Sequence, residues 1–399
     1  MFKKLLVFSF LVMICLVILF SIPNIKQYKK EIVVFSVMIE ADIDFDYFLS
    51  WLKDLNYTHF TFVLWEEAED NILNNATRVN ALKNYGEIIP RRDYLQLSTP
   101  QERRNKIDEM VEKYNNSLGY TPKGIMSFIP DTFTVQYLLE KNFSYIQGYC
   151  FDQYVIDYMT MRGGWQMPYY ANLSHVLVPN SQKSIVVFPH LTWDWIESFR
   201  ISHHLNTHPL NLKEFFDGDA TKAKAYWLSL IDSSLSCSEP FGFAVCQFEW
   251  QWLCKEKWEN VTKDWICTLV KTQNYAFWNF EETAEWFLTN YSSSPIYKII
   301  FVSPYTGERI EWYYDNRNRI ARIGSEIVSY VNYMNQTQDR YLNQIAQMNW
   351  GTTPSESNCI DYSLQFEIDA LGGGYLRSPI KTATFTYKGD LSSFAKFYP

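Results

Sequence analysis

LGYTPKGIMSFIPDTFTVQYLLEKNFSYIQGYCFD, residues Leu118 to Asp152, reads as one strand–helix–strand unit. Thr121-Pro122-Lys123-Gly124 leads into the apolar run Ile125 to Ile129, short enough for a buried strand. Asp131 is placed to cap a helix carrying Val135, Leu138 and Leu139 on one face. Lys141-Asn142 ends that helix, and Tyr145-Ile146 opens a second strand. Two strands joined through a helix run parallel, so the stretch predicts an α/β fold. Chemistry in such folds sits on loops at the carboxyl ends of strands, where Ser127 to Asp131 and Tyr149 to Asp152 fall. Asp131 and Asp152 are therefore candidate catalytic acids.

Upstream the same alternation repeats. Glu31 to Ile39 is a β-branched, apolar run ending in Glu40-Ala41-Asp42-Ile43-Asp44, with a helix expected through Phe45, Phe48, Leu49 and Leu52. A second strand spans His59 to Trp65 and ends in the acidic tip Glu66, Glu67, Glu69 and Asp70. A helix around Arg78 to Tyr85 precedes the brief strand Gly86-Glu87-Ile88-Ile89-Pro90. Thr99-Pro100-Gln101-Glu102 is a capping box with proline at the first helical position. Downstream, Ser184 to Phe188 and Phe241 to Phe248 are further buried-strand runs.

Composition bounds the function. The chain has 399 residues, a net charge of −8 and no basic block, which argues against a nucleic-acid partner. Fourteen Trp, 28 Tyr and 28 Phe fit either a large core or clefts that stack on sugar rings. Leu5 to Ile22 is an apolar segment behind Lys3 and Lys4, about 27 Å long as a helix and so able to cross a bilayer. We read residues 1–30 as a transmembrane signal-anchor, with secretion the outcome if it is cleaved. Sequons at Asn56, Asn75, Asn115, Asn142, Asn172, Asn260, Asn290 and Asn335 fit an extracytoplasmic glycoprotein. Of seven cysteines, the cluster Cys237, Cys246, Cys254 and Cys267 predicts one or two disulfides.

The order of elements resembles the polysaccharide-deacetylase (NodB-homology) superfamily. So do the phrases Thr58-His59-Phe60-Thr61-Phe62-Val63, Gly86-Glu87-Ile88, Leu97-Ser98-Thr99-Pro100-Gln101-Glu102 and Leu118-Gly119-Tyr120-Thr121-Pro122. The resemblance implies a distorted, seven-stranded (β/α) barrel over 31–291, a divalent metal, and removal of acyl groups from amino sugars. The metal motifs depart from it. Glu40-Ala41-Asp42-Ile43-Asp44 stands where paired aspartates are expected, and Arg91 and Arg92 stand where two histidines are expected. The family-type Asp-His-His site is thus expected to be absent; paired guanidiniums repel a cation and suit a carboxylate or phosphate.

Other segments add candidates. Arg162-Gly163-Gly164-Trp165-Gln166-Met167-Pro168-Tyr169-Tyr170 combines a hinge with stacking faces, so Trp165, Gln166, Tyr169 and Tyr170 are candidate sugar contacts. Pro189-His190-Leu191-Thr192-Trp193-Asp194-Trp195 offers His190 and Asp194 as acid/base groups and Trp195 as a platform. His204 and His208, four apart, would share a helix face as metal ligands, although Pro209 opposes that helix. Glu249 precedes Trp250, a further candidate sugar contact, and an apolar surround would raise its pKa as a general acid requires; Glu40, Asp131 or Asp152 would complete a carboxylate pair, whereas with a metal-bound water Asp42 or Asp131 would be the base. Ser292-Ser293-Ser294-Pro295 reads as a linker, and 296–399 as a smaller β-rich domain. Three functions follow: a membrane-anchored carbohydrate-active hydrolase, a catalytically silent glycan binder, or a structural surface scaffold.

Overall fold

A computed structural model describes residues 29–92, 99–127, 132–147, 166–173, 175–196 and 205–332. The first half alternates strands and helices: β1 (Glu31–Ile39), α1 (Phe45–Leu55), β2 (Phe60–Leu64), α2 (Glu66–Leu73), α3 (Ala76–Lys83), β3 (Gly86–Pro90), α4 (Pro100–Leu118), β4 (Gly124–Met126), α5 (Thr132–Glu140) and β5 (Tyr145–Gln147). The acidic tip after β2 is the first turn of α2, where carboxylates meet the positive end of the helix dipole. Asp44 caps α1 by accepting from Tyr47 N, and the Thr99–Glu102 capping box starts α4.

An antiparallel hairpin follows, β6 (Tyr169–Asn172) and β7 (His175–Pro179), before β8 (Val186–Phe188). Next come α6 (Pro209–Phe215), α7 (Ala220–Cys237), the short β9 (Ser238–Glu239), β10 (Gly242–Glu249), α8 (Trp250–Lys255), α9 (Glu259–Thr272), β11 (Ala276–Trp278) and α10 (Phe280–Asn290). Periodicity did not announce α7. It buries Ala223, Tyr226, Trp227, Leu230 and Ile231 against the barrel, and Asp219 caps it.

Seven parallel strands line the barrel in the order β10–β1–β2–β3 and β4–β5–β8. The two sheets meet where Arg91 bridges Met126 and Arg92 N donates to Met126 O. On the other side Thr192 N, just past β8, donates to Val245 O of β10. β1 is buried from Ile32 to Ile39 because it pairs on both edges: β10 on one, β11 and then β2 on the other. Ser36 of β1 and Gln147 of β5 bond across the interior, Gln147 Nε2 donating to Ser36 Oγ at 2.8 Å.

Lower in the barrel, buried Glu87 joins four elements. Thr61 Oγ1, Tyr145 Oη and Glu281 N donate to it at 2.6, 2.7 and 3.0 Å. Tyr145 reaches Glu87 because Gly124 lies against its ring; a Cβ there would sit 1.8 Å from Cζ.

Beyond the barrel, β12 (Tyr297–Val302), β13 (Arg309–Tyr314), β14 (Asn318–Ile323) and β15 (Glu326–Asn332) form an antiparallel meander. The stretch from Ile327 is thus extended as far as Asn332, not helical. β9 adds to this sheet through Ile299↔Ser238. The Ser292–Pro295 stretch does not hang free: Ser294 N donates to Asn180 O, and Tyr170 N donates to Ser294 Oγ at 3.0 Å.

Cys237, Cys246, Cys254 and Cys267 are free thiols, which corrects the expected disulfides within that cluster. They are spread over α7, β10, α8 and α9, each held by its own element. The apolar segment 5–22 lies outside the described residues, and among those described no helix is long and apolar enough to cross a membrane.

Candidate functional site

Side chains alternate across a strand, so the inward series on β1 is Ser36, Met38 and then Glu40 just beyond its end. The neighbouring strands bring Trp65 after β2, Arg91 after β3, His190 after β8 and Glu249 at the end of β10. These residues meet at the carboxyl mouth of the barrel. Three of the expected site residues, Glu40, His190 and Glu249, are therefore brought together, with Arg91 beside them.

Glu249 is the most firmly held. His208 Nε2 lies 2.5 Å from its Oε2, and Gln247 Nε2 donates to Oε1 at 3.1 Å. His208 is the N-cap of α6, where its Nδ1 accepts from Leu210 N at 3.2 Å. That bond directs the ring's proton on Nε2 toward the carboxylate. Burial by itself would raise the Glu249 carboxyl, but His208 and the Gln247 amide outweigh it and bring its pKa down to about 2. The direction expected for the Glu249 pKa is thus reversed.

Glu40 is shifted the other way. Burial and the charge of Glu249 raise its pKa, against the opposing pull of Arg91 and the hydrogen bond from Trp252. Trp252 Nε1 donates to Glu40 Oε2 at 2.9 Å. Arg91 is buried, with its guanidinium 3.8 Å from the Trp65 ring centroid and Nη1 on Met38 Sδ. His190 is fully buried, which pushes its imidazole down to about 3 and leaves it neutral.

Other candidates have different work. Asp194 is fully buried and accepts from Ile196 N at 3.0 Å, Tyr226 Oη at 3.0 Å and Ser303 Oγ at 2.6 Å, so it fastens the loop after β8 to α7 and to the strand meander. Arg92 turns away from the mouth and grips Glu69 through two bonds, at 2.7 and 3.0 Å, with Glu66 beside it. Trp195 packs on Phe301, Trp312 and Tyr314, and Trp250 on Phe48 and Trp51, so both are core residues. Tyr170 donates to Tyr291 O at 2.8 Å, and Gln166 and Tyr169 are buried rather than displayed on a loop. Asp42 is exposed on the turn between β1 and α1. Asp131, Asp152, Trp165 and His204 lie outside the described residues.

The divalent metal implied by the fold does not fit the described donors. Both ring nitrogens of His208 are engaged, by Glu249 and by Leu210 N, so the expected His204–His208 pair loses one member as a ligand. The Arg91 guanidinium occupies the same mouth. Among the described residues no three His, Cys, Asp or Glu side chains are grouped to hold an ion.

Residues 78–278, just over half the chain, match the model of a family described as a domain of unknown function with a solved structure, DUF3863. The chain belongs to the DUF3863 family. Its fold is similar to that of a provisionally named glycoside hydrolase/deacetylase from Parabacteroides distasonis. The TM-score is 0.63 at 16% identity, over 77% of this chain and 86% of that one. Provisionally named polysaccharide deacetylases from Mycobacterium smegmatis and Pseudomonas aeruginosa align at TM-score 0.45, with 13% and 12% identity. They cover 67% and 66% of this chain and 93% of each of theirs. No curated protein matches the chain. At such identities the likeness is one of fold, and it bears out the deacetylase-type resemblance at that level. The DUF3863 match runs from α3 to β11 and so contains Arg91, His190, His208 and Glu249, while Glu40, just past β1, lies before it.

Besides Trp65, two site residues escaped the sequence. Gln247 has the right inward register two residues before Glu249, and Trp252 lies one helical step past Trp250. An alternation count along β10 finds the first. Nothing local distinguishes Trp252 from its buried neighbour.

Proposed function

We propose that this protein is a carbohydrate-active hydrolase that cleaves glycosidic bonds with a carboxylate pair, Glu40 and Glu249. The observation that carries this reading is the meeting of two carboxyl groups in unlike surroundings at one barrel mouth, Glu249 bonded by His208 and Gln247 and Glu40 by Trp252. One is held ionised by His208 and Gln247; the other is pushed toward its protonated form by burial and by the first. Such a split supports Glu40 as the acid and Glu249 as the base. Glu40 gives its proton to the leaving-group oxygen as the anomeric C–O bond breaks. Glu249 takes a proton from a water whose oxygen bonds to the anomeric carbon, and a later exchange with solvent returns both groups to their starting states. Arg91 and neutral His190 lie beside the pair, and the fold supplies the open strand ends on which sugar-active barrels place such groups.

Export and membrane attachment belong to the same reading. The apolar segment 5–22 supports an anchor, and the sequon residues Asn56, Asn75, Asn115, Asn142, Asn260 and Asn290 are all exposed. The substrate would then be a cell-surface or extracellular glycan.

The test is product analysis. The protein is incubated with a panel of polysaccharides, and both new reducing ends and free acetate are measured. Reducing ends are expected, reduced at least about a hundredfold in both Glu40→Gln and Glu249→Gln. Release of acetate alone, unaffected by Glu40→Gln, would replace this reading with deacylation.

A further inference from the structure

Trp252 is the one exposed tryptophan among the described residues, 44% exposed, in a protein that buries most of its indoles. Leaving an indole in water forgoes one of the largest gains available from apolar burial. Its position is nevertheless fixed. Nε1 donates to Glu40 Oε2 at 2.9 Å, and the Lys255 ammonium lies 4.1 Å from the ring centroid, covering one face. The helix that carries it is tied to the loop after β1, since Gln251 Nε2 donates to Ala41 O at 2.9 Å. A flat apolar surface is thus held rigidly beside the candidate proton donor.

We infer that Trp252 is the platform for the sugar ring on the leaving-group side of the scissile bond. This rests on Glu40 being the proton donor, because the ring stacked next to that carboxyl is the one whose oxygen takes the proton. A pyranose presents a face of C–H groups to an indole and keeps its hydroxyls at the edge, so it would stack on the part of the indole that Lys255 leaves exposed. The bond from Nε1 to Glu40 has a second consequence: the platform and the acid move as one unit, and the bond favours the ionised form of Glu40. The substrate class is accordingly an oligosaccharide with a neutral or acidic pyranose after the cleaved bond, not a single sugar with a small leaving group.

Trp252→Ala and Trp252→Phe are made in the full chain, each also combined with Glu249→Gln so that binding is read without turnover. Cellohexaose, chitohexaose and xylohexaose are titrated by calorimetry, and KM and kcat are measured on whichever is cleaved. Trp252→Ala is expected to weaken binding and raise KM about tenfold, the upper end of one aromatic contact. Trp252→Phe keeps a ring and loses the donor, so it should bind within about threefold of the parent. It should also shift the alkaline limb of kcat to higher pH, because the bond that lowers the Glu40 pKa is gone. Unchanged binding and KM in Trp252→Ala overturns the platform while leaving the carboxylate reading intact. Tight binding lost in Trp252→Ala, with no turnover by the parent, overturns the hydrolase and keeps the platform. No binding of any of the three glycans to the Glu249→Gln chain overturns the platform as stated.

Discussion

Glu249 accepts hydrogen bonds from His208 and Gln247, whereas Glu40 accepts one from Trp252 and faces the charge of Glu249. On the carboxylate-pair reading proposed above, the prediction at this scale falls on His208, a positioning residue that would act through Glu249. His208→Asn keeps a side chain suited to capping α6 but removes the imidazole from Glu249. The Glu249 carboxyl, now near 2, should then return toward the ordinary carboxylate range. The proposed mechanism needs Glu249 ionised, so its activity would be present above that pKa and lost as pH falls through it. The acid limb of the pH–rate profile should therefore move to higher pH in the variant, with kcat down about a hundredfold or more. A drop in kcat with the acid limb unmoved would leave His208 a purely structural cap.

Between elements, Glu87 links β2, β3, β5 and the start of α10, and burial pushes its pKa up to about 7. The folded state thus holds a proton that the unfolded chain releases at ordinary carboxylate pH. The stability gained from this is fully present below the unfolded pKa and is lost as pH rises through about 7. The size is about 3 kcal/mol across that window. Chemical unfolding of wild type and Glu87→Gln from pH 4 to 8.5 should show a wild-type decline that the variant lacks; parallel curves would refute it. The capping box at Thr99–Glu102 was legible because it is written within four residues. Glu87 was not, since its partners Thr61, Tyr145 and Glu281 come from three distant segments.

At the scale of the molecule, Asp194 joins the barrel mouth to α7 and to Ser303 at the end of β12, and Trp195 beside it fills the core of the meander. Asp194→Ala leaves Tyr226, Ser303 and Ile196 N without their buried acceptor, at a cost of about 3–5 kcal/mol. Hydrogen exchange should rise first in β12 and β13, with loss of activity following loss of structure. An Asp194→Ala protein that is as stable as wild type but inactive would return this residue to the catalytic list.

What the sequence by itself determined was the succession of elements: the apolar run of β1, the βαβ unit around Ile125 and Ile146, the helix caps and the alternating β12 to β14. Each is set by burial period and hydrogen bonding within a dozen residues. Only the tertiary structure decided which polar residues meet at the barrel mouth and which tie one element to another. Asp194 and Glu249 look alike in sequence, each beside a tryptophan near the end of a strand run, yet one is tied to Tyr226 and Ser303 and the other to His208. The physical reason is that a carboxyl group's pKa and its freedom to react come from neighbours supplied by barrel closure, across sequence separations of 41 residues for His208–Glu249 and 109 for Asp194–Ser303.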